Sequence, residues 1–102
     1  MTESETMPDE VDDEFYQRAD EFIDLANEHA RTTKRENVSA SFMYSSSRFN
    51  AWLSATGFSS GDEMRDAKQA RIDHFVEQYR TMLEENMDSY IKNFDDYMKP
   101  NA

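Results

Sequence analysis

The side chains best suited to catalysis or metal binding are few in this sequence, and their spacing matches no common site. There are two histidines, His29 and His74, and no cysteine. His74 precedes Glu77 by three residues, which reverses the Glu-x-x-His order that helical di-iron proteins use. Together with His29, this pair supplies at most a set of two histidines and one carboxylate. We therefore expect no metal site and no cofactor.

The sequence also lacks the usual motifs of nucleophilic catalysis and of phosphate binding. A histidine that carries a phosphoryl group needs a cation three residues later, and Glu77 occupies that position after His74. The serines never occur as Gly-x-Ser-x-Gly, the turn that exposes a catalytic serine. Gly61 is followed by Asp62 rather than by the lysine of a phosphate-binding loop. We expect no catalytic residue, and the sequence favours a non-enzymatic protein.

A different set of polar residues lies in and beside a helix whose apolar residues nearly encircle it. The set consists of Tyr44, Arg48, Asn50, Glu77, Arg80 and Glu84. A guanidinium that is removed from water needs a carboxylate partner, so we expect Arg48 to pair with Glu77 or Glu84. An internal ion pair that fixes helix register is our interpretation. The alternative is a small-ligand or enzymatic pocket around Arg48.

Hydrophobic periodicity predicts an all-α fold that positions these residues. Three main helices are expected at about 11–31, 39–56 and 61–98. A continuous third helix would be about 55 Å long, whereas a compact globule of this size is about 33 Å across. This helix therefore either extends onto another chain or breaks near 86–89 to give a fourth helix.

Local signals at the helix ends refine this prediction. Ser39 is the expected N-cap of the second helix, and Gly57 is expected to end it in a left-handed conformation. The third helix begins with Ser60-Gly-Asp-Glu63, which matches a capping box. We expect a single helical domain over 9–98, between a disordered acidic tail at 1–8 and a C-terminal tail at 99–102.

Charge excludes several classes of partner. The chain has 22 acidic and 11 basic residues, and seven of the carboxylates fall within 1–14. Binding of nucleic acid through phosphate contacts needs clustered lysine and arginine, so we exclude it; an acidic mimic of nucleic acid remains an alternative. No apolar stretch is long enough to span a membrane, and we expect no membrane binding. The absence of cysteine and the acidic start suit a cytoplasmic protein.

The end of the third helix is the candidate interface. Its large apolar residues are Tyr90, Ile91, Phe94, Tyr97 and Met98. A projecting helix with such a stripe would expose several hundred Å², which soluble monomers rarely tolerate. We therefore expect a protein–protein interaction module, either a homodimer or a complex with another protein.

The chain also resembles a family of short acidic proteobacterial proteins known only as a domain of unknown function. The resemblance spans about 15–98, and the runs that carry it are 15–23, 38–44, 47–51, 75–86 and 94–98, with Tyr90 between the last two. It implies a bacterial, helical protein. It implies no catalytic residue, cofactor or partner.

Overall fold

The computed structural model describes residues 11–99, and this part of the chain is helical with no strand. The all-α prediction is therefore confirmed. The helices are α1 (Phe15–His29), α2 (Arg35–Ala55), α3 (Gly61–Asp66), α4 (Lys68–Lys92) and α5 (Phe94–Met98). The acidic tail predicted at 1–8 lies outside the described residues.

The start of α1 is organised by a carboxylate that precedes the helix. Asp12 Oδ2 accepts a hydrogen bond from the backbone N–H of Glu14 at 3.3 Å. The Arg18 guanidinium donates to both oxygens of Asp12, at 2.7 and 3.3 Å. Because residues 13 and 14 form a turn, regular helix begins at Phe15 rather than near residue 11. The predicted helix is present, with each end shortened.

The second helix starts earlier than its sequence indicates. Lys34 has an extended backbone (φ −60°, ψ 140°), and its carbonyl accepts bonds from the N–H groups of Asn37 and Val38 at 3.0 and 3.2 Å. Ser39 therefore lies inside α2, and its prediction as the N-cap is wrong. Gly57 does not take a positive φ either. Its N–H bonds to the Ser54 carbonyl at 3.0 Å, so a tight three-residue turn ends the helix instead.

The capping box before α3 forms with one change. Ser60 Oγ accepts a hydrogen bond from the Glu63 N–H at 3.1 Å, as predicted. Glu63 Oε1 returns to the N–H of Ser59 at 2.6 Å rather than to that of Ser60. The carboxylate reaches one residue further back than in the standard box.

The predicted long helix is divided, but not where we expected. The helix breaks at Ala67 (φ −98°, ψ 3°) and at Asn93 (φ −111°, ψ 29°), while α4 continues through 86–89. A break near 86–89 is therefore wrong. Ser89 caps no new helix; its carbonyl instead accepts bonds from both the backbone N–H and the side-chain amide of Asn93. The Tyr97 ring packs on Tyr90 with ring centroids 4.8 Å apart.

The described residues fall into two compact units, 11–66 and 67–99. In the first, α1 and α2 contact each other; in the second, α4 and α5 do. Among the described residues no hydrophobic side chain is buried, and the buried polar side chain is that of Ser54. The large apolar residues of α2 are exposed, so the enclosure expected for that helix is not found among the residues that the structure describes. The single domain expected over 9–98 stays a prediction.

Candidate interaction surface

One face of α4 carries a row of large apolar side chains. They recur every three or four residues and lie within about 80° of the helix circumference. We call this row the α4 stripe; it consists of Ile72, Val76, Tyr79, Leu83, Met87 and Tyr90. The stripe is about 27 Å long at the rise of an α-helix. It is the right width for a single helix to pack against.

The α4 stripe is open to solvent along its whole length. Its six side chains are between 43 and 55% exposed. A groove runs along its middle, and the described residues that line it all belong to α4. Tyr79, Leu83 and Met87 form the apolar floor, and the charged residues Arg80 and Glu84 form one side. The groove therefore has an apolar centre and a charged margin.

The two edges of the stripe differ in character. We call one of them the acidic edge; it holds Asp73, Glu77, Arg80, Glu84 and Asp88. Within it, Arg80 Nε lies 3.6 Å from a carboxylate oxygen of Glu77. The other edge holds Phe75 and Met82, both half-buried, together with the exposed Lys68 and Asn86. The Arg71 guanidinium lies 5.2 Å from the centre of the Phe75 ring, where a cation and an aromatic face attract each other.

The interface predicted at the C-terminus continues from the α4 stripe. Its residues Tyr90, Ile91, Phe94, Tyr97 and Met98 are all exposed. The interruption at Asn93 separates the first two residues from the last three. The Tyr97 hydroxyl lies 3.1 Å from Ser89 Oγ, which ties α5 to the end of α4. Whether these residues form an interface stays a prediction.

The predicted polar cluster divides between the two units. Tyr44, Arg48 and Asn50 lie on α2, whereas Glu77, Arg80 and Glu84 lie on α4. Arg48 is exposed, and Glu77 has Arg80 as a neighbour on its own helix. The pairing of Arg48 with Glu77 or Glu84 stays a prediction.

Arg80 and Glu84 lie beside the apolar stripe, an arrangement that we did not predict from the sequence. From the sequence we took the long third helix as the contact surface, but we named interface residues only from Tyr90 onward. The signal that would have found the earlier ones is the unbroken three-and-four spacing from Ile72 to Tyr90.

The histidines take no part in a shared cluster. Within residues 11–99, no group of three or more histidine or carboxylate side chains could hold a metal ion. His74 packs edge-on against Phe75, with ring centroids 5.0 Å apart, and His29 lies in the last turn of α1. As for membranes, the described helices include none with the length and apolar character to cross a bilayer.

The fold and its surface define an all-helical protein with an apolar helix face that is exposed among the described residues, and comparison with known proteins places it more closely. The family described as "Protein of unknown function (DUF3144)" matches residues 15–91, so the chain belongs to that family. The resemblance to a family of unknown function is thereby confirmed. The structure is similar to the NMR structure of the protein NB7890A from Shewanella sp.. That protein is 40% identical, with a TM-score of 0.73 over 89% of this chain and 97% of the other. Among curated proteins, no relative matches.

Proposed function

We propose that this protein is a helical protein–protein interaction module that acts by self-association in the bacterial cytoplasm, and not an enzyme. The observation that carries the proposal is the exposure of its large apolar residues. In the part of the chain that the structure describes, 21 large hydrophobic side chains are exposed and none is buried. A soluble chain with such surfaces gains free energy when another protein covers them.

The exposed area suits a specific interface. The α4 stripe and the predicted C-terminal interface together contain ten large side chains, each about half-exposed. Aromatic side chains bury about 150–250 Å² each and the aliphatic ones less, so the ten half-exposed side chains leave roughly 800 Å² uncovered on one chain. That is about the area that each partner contributes to an interface of standard size.

A second copy of the chain is the partner that fits this surface. A two-fold dimer uses the same patch on both subunits, so an apolar stripe on one copy meets an equally long apolar stripe on the other. Methionine and tyrosine are common in such contacts, because they bring large areas and adaptable shapes. Carboxylates at the margin remain in water, where they weaken association without preventing it.

The mass of the protein in solution tests the proposal. The chain has a mass of 12.0 kDa, and we expect light scattering at micromolar concentration to give about twice this value. Leu83→Glu places a carboxylate in the middle of the α4 stripe and should shift the mass towards that of one chain. His74→Glu is the matched control, because it adds the same group on the opposite face of α4 and should leave the mass unchanged.

A wild-type mass of 12.0 kDa at every concentration would overturn the proposal. Equal masses for the wild type and Leu83→Glu would show that self-association uses another surface. Helicity by circular dichroism, measured at the concentration of the scattering experiment, separates loss of association from loss of folding.

A further inference from the structure

The size and order of the side chains along the α4 stripe determine how two copies would fit together. We propose that α4 packs on α4 of a second copy in antiparallel orientation, with the two-fold axis near the level of residue 81. This inference rests on the proposed self-association and goes beyond it, because it assigns the helix, the direction and the pairs of residues in contact.

The first argument is the matching of large and small side chains. In the antiparallel arrangement, Ile72 lies opposite Tyr90 of the second copy, and Tyr79 lies opposite Leu83. Val76 and Met87 of the second copy lie within about one residue, or 1.5 Å, of the same level. Each layer then contains one smaller and one longer side chain, so the distance between the helix axes stays nearly constant, as close packing requires.

A parallel pair would place each residue opposite its own copy. Two tyrosines would then meet at residue 79 and again at residue 90, whereas two valines would meet at residue 76. The layers would alternate between overfilled and underfilled. Both overpacking and cavities in a core cost free energy, so the parallel arrangement is the less stable of the two.

The edges of the stripe are compatible with this direction but do not select it. A parallel two-fold pair would place the acidic edge of one helix against the edge of the other that holds Lys68, Phe75 and Met82. An antiparallel pair places the two acidic edges on the same side. Arg80 of each copy then lies within reach of Glu84 of the other, so one ion pair forms twice.

The same arrangement brings Asp73 and Glu77 within about one residue of the level of Asp88 and Glu84 of the second copy. These carboxylates are exposed, so solvent and salt screen their repulsion, and Glu77 also has Arg80 beside it. The alignment of helix dipoles adds to the preference, because antiparallel neighbours bring ends of opposite partial charge together. Packing and dipoles therefore favour the antiparallel direction, and the edges permit it.

Single cysteines can test this direction cleanly, because the natural chain has no cysteine. Ile72→Cys and Tyr90→Cys are prepared separately, one of them labelled with 15N, then mixed, allowed to exchange subunits and mildly oxidised. The two positions are about 27 Å apart along one helix, whereas a disulfide needs Cα atoms within about 7 Å. Mass spectrometry then distinguishes the three possible crosslinked species.

The antiparallel arrangement predicts the mixed 72–90 disulfide and neither of the symmetric ones. Glu85→Cys, on the opposite face of α4, is the control and should give no crosslink. Val76→Cys with Met87→Cys is a second pair, in case either of the first variants fails to fold or to associate. Light scattering and circular dichroism confirm association and helicity before oxidation.

Other outcomes overturn the inference in distinguishable ways. Symmetric 72–72 and 90–90 disulfides would mean that the helices are parallel, and self-association would stand. A protein of twice the chain mass with no crosslink from either pair would mean that another surface forms the dimer. A monomer at every concentration would overturn both the inference and the proposed function.

Discussion

At the scale of single residues, the best-defined polar contact is the pair of Asp12 and Arg18 at the start of α1. The hydrogen bond from the Arg18 guanidinium is the main cause that lowers the pKa of the Asp12 carboxyl below its usual value of 3.8. The bond from the backbone N–H of Glu14 acts in the same direction. The side chains on both sides remain about half-exposed, so the contribution to stability is small.

We expect Arg18→Gln to raise the pKa of Asp12 back towards 3.8. A carboxyl whose pKa is lower in the folded state than in the unfolded state stabilises the fold at pH values above the unfolded pKa. This stability is lost as the pH falls through the folded pKa. The variant should therefore show less change in stability below about pH 4 than the wild type. Titration of the Asp12 carboxyl carbon by NMR measures the shift directly.

Arg31→Gln provides the matched control for this experiment. Arg31 pairs with Glu28 at 3.8 Å, at the other end of the same helix, and does not contact Asp12. The pKa of Asp12 should be the same in this variant as in the wild type. An Asp12 pKa that responds equally to both substitutions would mean that general charge, and not the local contact, lowers it.

At the scale of helices, much of the chain follows from its sequence because the relevant signals are local. The all-helical fold follows from apolar spacing, and Ser60 and Glu63 lie close enough in sequence to form their contacts without help. The break at Ala67 has no such signal, because alanine is the strongest helix former. The break at Asn93 depends on Tyr97 folding back towards Ser89, which spacing alone does not reveal.

The candidate site could be predicted only in part, and the reason is physical. The spacing from Ile72 to Tyr90 shows that one face of α4 is apolar, but it does not show which chain covers that face. From the sequence we therefore expected a helix α2 enclosed by its own chain and an Arg48 withdrawn from water. In the single chain Arg48 is exposed. Enclosure is a property of packing between elements, which periodicity within one element does not contain.

The start of α3 offers a test at this scale. We expect Ser60→Ala to lower the free energy of unfolding by about 0.5–2 kcal/mol, because the Glu63 N–H loses its acceptor. Ser59→Ala is the matched control, since Glu63 bonds to the backbone N–H of Ser59 and not to its hydroxyl. Urea unfolding followed by circular dichroism compares the two. Equal losses would contradict the assignment of the cap to the Ser60 side chain.

At the scale of the whole molecule, the chain has many apolar residues and buries none of the described ones. A protein whose apolar faces are covered only by a second copy should fold and associate in one step, so its stability should depend on its concentration. The net charge of −11 on each copy opposes association through repulsion, but it does not remove the free energy gained by covering apolar surface. Concentration and salt are then the variables that set the folded fraction.

The melting temperature should therefore rise with protein concentration. A hundredfold increase adds about 2.7 kcal/mol by mass action, which corresponds to roughly 5–10 °C for a cooperative unit of two such chains. His74→Glu should show the same dependence as the wild type, because its new charge lies away from the α4 stripe. Leu83→Glu should melt at a lower temperature at every concentration, because its carboxylate must lose water when the stripe is covered. Calorimetry over that range decides the matter, since a melting temperature independent of concentration would mean that each chain is stable alone with its apolar faces in water.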